Sequence, residues 1–229
     1  MPRFSANLSM LFTEVDFMDR FTRAANAGFR AVEYMFPYPF DPQNLSDALR
    51  SNNLKQILFN LPAGDWDRGE RGIAMLPDRQ AEFREGVDKA IVYADALDCP
   101  LINCLVGRAP EGVPDTVTMD TLVSNLRYAA DVFAEKGIKL LIESLNTRDI
   151  PGFYLSRTND TLSLIKKVDR PNVYYQYDVY HMQVMEGNLV TTIRENVELI
   201  AHIQVADNPG RHEPGTGEIN MNIYFASSM

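Results

Sequence analysis

The sequence is short of the features that mark several classes of protein. Its 229 residues include two cysteines, three histidines and one tryptophan. Cys99 and Cys104 are too few to build a disulfide framework, and their spacing fits no metal motif. They read as small core residues in a protein of a reducing compartment. No basic run exceeds the pair Lys166-Lys167, the formal net charge is −9, and the pI is near 4.8. That balance opposes a nucleic-acid partner and an anionic membrane surface, both of which select a basic face. An anionic small molecule would need local arginines set against the overall field. The opening residues, Met1 to Met10, lack a long apolar stretch. They read as neither signal peptide nor membrane span, so a cytoplasmic protein is expected. Gly/Ser linkers, low-complexity tracts and composition shifts are missing too, which points to one domain over residues 1–229.

What is present is a globular core in the making: 45% of residues are hydrophobic and 23% charged. Short apolar runs rich in Val, Ile, Leu, Phe and Tyr recur at 4–8, 31–34, 56–60, 101–105, 139–142, 173–177 and 201–205. These predict buried parallel strands. Between them lie amphipathic stretches. Asp16 is placed to cap a helix carrying Phe17, Phe21, Ala24 and Ala25 and ended by Gly28. Asp41-Pro42 reads as an N-cap followed by a first-turn proline, opening a helix to about Asn52. Further helices are expected around Phe83–Ala94 and Leu122–Phe133, over 158–168, and over roughly 189–199.

Strand and helix alternating without a break imply an α/β protein of the (β/α)8 TIM-barrel type. Only seven strands are countable. After the last comes a Gly/Pro-rich loop, 207–217, and then a short helix at most over 219–226. The expectation is a barrel truncated after its seventh strand and lacking the last βα unit.

In such barrels the working residues sit at the C-terminal ends of strands. Glu143, Asp178 and Gln204 fall there, each about one βα repeat from the next. Converging carboxylates repel, and a divalent cation relieves the repulsion; oxygen ligands of this kind suit Mg2+ or Mn2+. The competing reading has these groups capping loops or pairing with arginines, and spacing alone leaves both open. His181 lies three residues beyond Asp178, within reach of the same cavity. His202 reads as a structural histidine beside Gln204, and His212 as uncommitted in its loop. The glycines of 64–72 lack the spacing and the Lys-Ser/Thr ending of a phosphate loop. A substrate-facing loop with Trp66 as lid or wall is expected there. No serine sits in a nucleophile elbow.

Ordered blocks then carry a resemblance. They include Asn60-Leu61-Pro62-Ala63-Gly64-Asp65-Trp66, Gly69-Glu70-Arg71-Gly72, Ile102-Asn103-Cys104-Leu105-Val106-Gly107 and Asp149-Ile150-Pro151-Gly152-Phe153. Later come Tyr177-Asp178-Val179-Tyr180-His181-Met182-Gln183 and the run from Ala206-Asp207-Asn208-Pro209 to Glu218-Ile219. With Arg3-Phe4-Ser5-Ala6-Asn7-Leu8-Ser9-Met10 at the start, these blocks span nearly the whole chain. The sequence resembles the hydroxypyruvate isomerase family, within the xylose isomerase-like barrels.

The resemblance implies interconversion of hydroxypyruvate and tartronate semialdehyde (2-hydroxy-3-oxopropanoate) by proton transfer through an enediolate, in the setting of glyoxylate metabolism. It implies a divalent metal, Mg2+ or Mn2+, held by Glu143, Asp178 and Gln204, with Glu143 also the catalytic carboxylate. His181 and Arg211 are the expected substrate contacts, with bracing of the Gly/Pro loop the other reading of Arg211. The implied partner is a small hydroxy-carbonyl acid, and a homo-oligomer stays open. The 2-oxo-tetronate isomerases share the fold and opening segment, so they are the alternative. A second glutamate on an eighth strand belongs to the family pattern and has no match here; Glu213 and Glu218 lie in the preceding loop. A truncated, inactive barrel that keeps only metal or ligand binding is therefore the other expectation.

Overall fold

Seven parallel strands, each returned to the next by helix, form a curled sheet in the computed structural model, which describes residues 3–221. The order is β1 (Ala6–Asn7), α1 (Arg20–Asn26), β2 (Ala31–Glu33), α2 (Pro42–Ser51), β3 (Lys55–Asn60), α3 (Gln80–Leu97), β4 (Leu101–Cys104), α4 (Asp115–Ala134), β5 (Lys139–Glu143), α5 (Thr158–Val168), β6 (Val173–Asp178), α6 (Val179–Met185), α7 (Leu189–Asn196) and β7 (Ile200–Gln204). Every strand pairs with its neighbours in sequence, so the spatial order is the chain order. This is the TIM-barrel arrangement, and each expected strand is found. Most of the short helix expected over 219–226 lies outside the described residues.

Side-chain caps start two of these helices, α2 and α6. Asp41 Oδ1 accepts from the backbone N–H groups of Gln43 (2.8 Å) and Asn44 (3.2 Å), with Pro42 at the first helical position. Asp16 behaves differently from expectation: its side chain makes no capping bond, and residues 17–19 form a 3-10 turn ahead of α1. Phe17 is drawn onto Phe40, ring stacked on ring at 4.5 Å, and edge-on to Tyr34 at 5.2 Å. That packing, rather than a cap, sets the entry into α1. Gly28 ends the segment with φ +94°, a conformation that costs a side chain dearly.

Two apolar regions hold the fold. The larger lies between the sheet and its helices, and includes Cys99 and Cys104, both buried. The smaller lies inside the curl, where Leu58, Leu101 and Leu141 meet, with Tyr174 and Ala201 packed against them. Successive side chains alternate faces, so the inward residues two positions further along each strand share this interior. They are Asn60, Asn103, Glu143 and Gln176, and all are buried. The interior therefore changes from leucine to amide and carboxylate toward the C-terminal ends of the strands.

The loops at that end are stitched together. Gly72 (φ +128°) lies against the carbonyl of Leu105, leaving no room for a Cβ, and Gly107 lies against Gly72 in the same way. Arg108 donates to Gly69 O at 2.8 Å and to Pro151 O at 2.9 Å. The loops after β3, β4 and β5 are thus one unit. Trp66 belongs to it as a fixed wall, its ring 5.0 Å from that of Phe36 and covered by the Arg71 guanidinium at 3.8 Å. Among the described residues no helix is long and apolar enough to cross a membrane.

Candidate active site

Glu143 is the last residue of β5, and Asp178 is the last of β6 and the N-cap of α6. Asp178 Oδ1 accepts from the His181 backbone N–H at 3.1 Å, which starts α6 directly off the strand. That single turn folds the His181 side chain back beside the carboxylate that caps it. Glu143, Asp178 and His181 each offer one ligating atom, and these lie within 4.8 Å of one another. Their exposures are only 5%, 3% and 1%, so the cluster is nearly dry.

The electrostatics follow from that burial. The Glu143 carboxyl is pushed up to about 8, first by desolvation and then by the charge of Asp178; Arg211, Gln176 and Asn103 act the other way. Asn103 Nδ2 donates to Glu143 Oε2 at 2.9 Å and to Asn60 Oδ1 at 3.2 Å. His181 is held below the usual imidazole range, mainly by burial and further by Arg211, against the pull of Asp178 and Asp149. The backbone N–H of Asn146 donates to His181 Nδ1 at 3.1 Å. This bond assigns the neutral ring's proton to Nε2, which lies 3.7 Å from Asp178 Oδ2. Asn146 is itself fixed by Asp149, whose Oδ2 accepts from Asn146 Nδ2 at 3.0 Å and from the Tyr180 hydroxyl at 2.8 Å.

Arg211 arrives from the loop after β7. That loop is wound around one fully buried carboxylate, Asp207, which accepts from the backbone N–H groups of Asn208 (2.9 Å), Gly215 (2.8 Å) and Ile219 (3.0 Å). Arg211 Nη2 lies 3.2 Å from Asp178 Oδ2, with its guanidinium 5.2 Å from the Tyr180 ring centre. Its side chain faces the cluster rather than bracing its own loop. Gln204 ends β7 and pairs in register with Asp178. Its Oε1 accepts from Gln176 Nε2 at 3.1 Å. His212 is exposed, and its carbonyl accepts from the Asp207 N–H at 2.9 Å. Glu213 and Glu218 are exposed, and Glu218 accepts from Asn208 Nδ2 at 2.6 Å and Gln183 Nε2 at 3.1 Å.

One residue escaped the sequence reading. Glu33 ends β2, is 3% exposed, and sits at the centre of a second polar cluster. Its oxygens accept from Ser5 Oγ (2.9 Å), Asn7 Nδ2 (3.1 Å) and Gln204 Nε2 (2.6 Å), and His202 Nε2 lies 2.7 Å away. Burial alone would raise this carboxyl, but His202, Gln204 and Ser5 outweigh it and hold it below the usual range. In the sequence its run continues into Tyr34, and only the structure makes Glu33 a strand-ending carboxylate like Glu143.

A divalent cation fits the donor set. Two buried carboxylates converge beside His181 with the Arg211 guanidinium at the rim, and among the described residues the buried Oε1 of Gln176 and Oδ1 of Asn103 have no hydrogen-bond partner. Glu143 and Asp178 offer oxygen and His181 an imidazole nitrogen, a set that suits a divalent ion.

Parallel strands in chain order with a carboxylate cluster at their C-terminal mouth define a barrel enzyme. Residues 21–226 match the family described as Xylose isomerase-like TIM barrel. The hydroxypyruvate isomerase of Escherichia coli is 55% identical over 225 residues, covering 98% of this chain and 87% of that protein. A 2-oxo-tetronate isomerase from Pectobacterium atrosepticum is 46% identical over 226 residues, covering 99% of this chain and 86% of its own length. A crystal structure from Brucella melitensis, described as an AP endonuclease of family 2, has a TM-score of 0.96 at 46% identity, covering 99% of this chain and 88% of that one. The chain belongs to the hydroxypyruvate isomerase family of xylose isomerase-like TIM barrels, and it is an isomerase.

Proposed function

We propose that the protein interconverts hydroxypyruvate and tartronate semialdehyde, with a divalent cation, Mg2+ or Mn2+, held by Glu143, Asp178 and Gln204. The observation that carries this reading is the convergence of buried Glu143, Asp178 and His181 within 4.8 Å. The 55% identity to a hydroxypyruvate isomerase supports the choice of substrate. When bound, the cation supplies Lewis acidity, making the hydroxyl-bearing carbon's proton easier to remove and the enediolate cheaper to form.

The chain's own residues do the rest. Glu143 is the carboxylate that takes the proton from C3 of hydroxypyruvate; the product requires a proton delivered at C2 and the hydroxyl proton moved from O3 to O2. Asn103 holds one Glu143 oxygen, fixing the direction in which the other faces. His181, with its proton on Nε2, donates a hydrogen bond to a substrate oxygen and stays neutral. Arg211 offers a planar fork to the substrate carboxylate, exchanging Asp178 for it as partner. The Trp66 wall and the stitched loops restrict water around the carbanion.

The test is proton NMR of the purified chain with hydroxypyruvate, with Mg2+ or Mn2+ and then with chelator. Cation-dependent appearance of tartronate semialdehyde supports the proposal; a folded chain giving no conversion under either condition overturns it. A second reading, 2-oxo-tetronate isomerisation, is favoured by the 46% identity to an enzyme of that name. A larger kcat/KM for 2-oxo-tetronate in the same assay would select it. Strand scission has little support here, since a net charge of −9 with no basic cluster repels a phosphate backbone.

A further inference from the structure

We infer that Glu33 is a positioning residue whose carboxylate fixes which end of the Gln204 amide faces Asp178, so that a cation meets an oxygen there and not an N–H. The inference rests on the cation site proposed above and gives Glu33 a part in building it.

A glutamine side chain is a poor metal ligand unless its orientation is fixed. Its oxygen and nitrogen ends are nearly the same size and exchange by a half turn about the last bond, but only the oxygen has lone pairs to give. Gln204 ends β7 beside Asp178 in register, and its Oε1 meets Gln176, whose side chain also bonds Glu143, so the oxygen end lies on the side of the carboxylate cluster. What decides the end is the partner on the far side. Gln204 Nε2 donates to Glu33 Oε1 at 2.6 Å. An ionised carboxylate only accepts, so the flipped amide would set oxygen against oxygen in a buried place and lose a charge-assisted hydrogen bond. The flip is excluded by the chemistry of Glu33, whichever end electron counting would favour elsewhere.

Glu33 can do this because it is itself held. Ser5 and Asn7 donate to it from the β1 side, and His202 reaches it from β7 itself. Ser5, Asn7 and Gln204 all donate to Glu33, so the carboxylate is the group that sets the sense of the others. On the opposite side Gln176 Nε2 donates to Gln204 Oε1, consistent with the same orientation, and this bond is the one a cation would replace. A carboxylate behind a metal-binding side chain commonly changes metal affinity about 10–100-fold when removed.

The experiment is Mn2+ titration by calorimetry of the full chain, wild type against Glu33→Gln and against the double exchange Glu33→Gln with Gln204→Glu, each checked for cooperative thermal unfolding. Glu33→Gln lets the facing amides pair in either sense, and Mn2+ affinity should fall about tenfold or more. The double exchange restores one donor facing one acceptor and leaves an oxygen toward Asp178; affinity should return to within about threefold of wild type. Gln204→Glu also adds charge beside the cation, so a role confined to holding the fold is excluded instead by Glu33→Gln unfolding as cooperatively as wild type while its Mn2+ affinity falls. Affinity of Glu33→Gln within twofold of wild type, or a double exchange no better than the single, overturns the inference while leaving the cation site standing. A wild-type chain that takes up no Mn2+ removes the cation site and this inference with it. Should Glu33→Gln not fold, Glu33→Asp carries the same comparison, since it keeps the charge for His202 and shortens the reach to Gln204.

Discussion

Arg211 Nη2 stands 3.2 Å from Asp178 Oδ2, so the cation at the rim of the cluster is a side chain that another anion can claim. A substrate carboxylate is such an anion. Replacing Arg211 by Gln should raise KM for hydroxypyruvate about 10–100-fold, the value of one or two charge-assisted bonds, with a smaller effect on kcat. Steady-state kinetics check this; an unchanged KM would return Arg211 to a purely structural role.

Glu143→Gln keeps the shape of the side chain and its bond to Asn103 but removes the base. Turnover should fall about 10²–10⁴-fold, with the fold intact by circular dichroism and thermal unfolding. Near-normal kcat would remove Glu143 from proton transfer.

The pH dependence of the metal-free protein has a definite sign. With its carboxyl raised from 4.5 to about 8, folded Glu143 keeps a proton that the unfolded chain has released. Its contribution to stability is full below 4.5 and is lost as pH rises through about 8, by at most a few kcal/mol at ~1.4 kcal/mol per unit. In chelator, wild type should therefore lose Tm relative to Glu143→Gln between pH 5 and pH 8, on the order of that window. Thermal unfolding of the two side by side tests it, and a constant gap would contradict it. Cation uptake near neutral pH should also release a proton, which calorimetry in buffers of different ionisation enthalpy detects.

Asp207 is the hub of the loop that carries Arg211. Asp207→Ala takes the acceptor from the backbone N–H groups of Asn208, Gly215 and Ile219 and should cost about 1–3 kcal/mol, open the loop to limited proteolysis, and raise KM with Arg211 intact. Proteolysis patterns and KM unchanged from wild type would show that the loop holds without it.

Much of this molecule is legible in the sequence. The helix α5 starts and stops at the expected residues, and Asp41-Pro42 opens α2 by the cap that the pair announces. The strand-ending rule picked out Glu143 and Asp178 because each follows a clear apolar run, and Gln204 because it lies about one βα repeat beyond Asp178. It missed Glu33, since the run there continues into Tyr34 and the glutamate passes for a mid-strand residue. Helix α6 escaped for another reason: Val179, Tyr180, His181 and Met182 are all buried, so no polar face gives the segment a period. Arg211 was left between two partners because its choice depends on a turn wound around Asp207, and that winding is made of backbone contacts with residues up to a dozen positions away.

The leucines inside the curl have a consequence for traffic. With Leu58, Leu101 and Leu141 packed at its floor, the interior is filled beneath the carboxylates, and the approach to them runs past Arg211. That approach is framed on one side by the rigid loops that Gly72 and Gly107 lock together. The other side of the frame, the turn around Asp207, is where changes in sequence should tune the rate of exchange without touching the chemistry below.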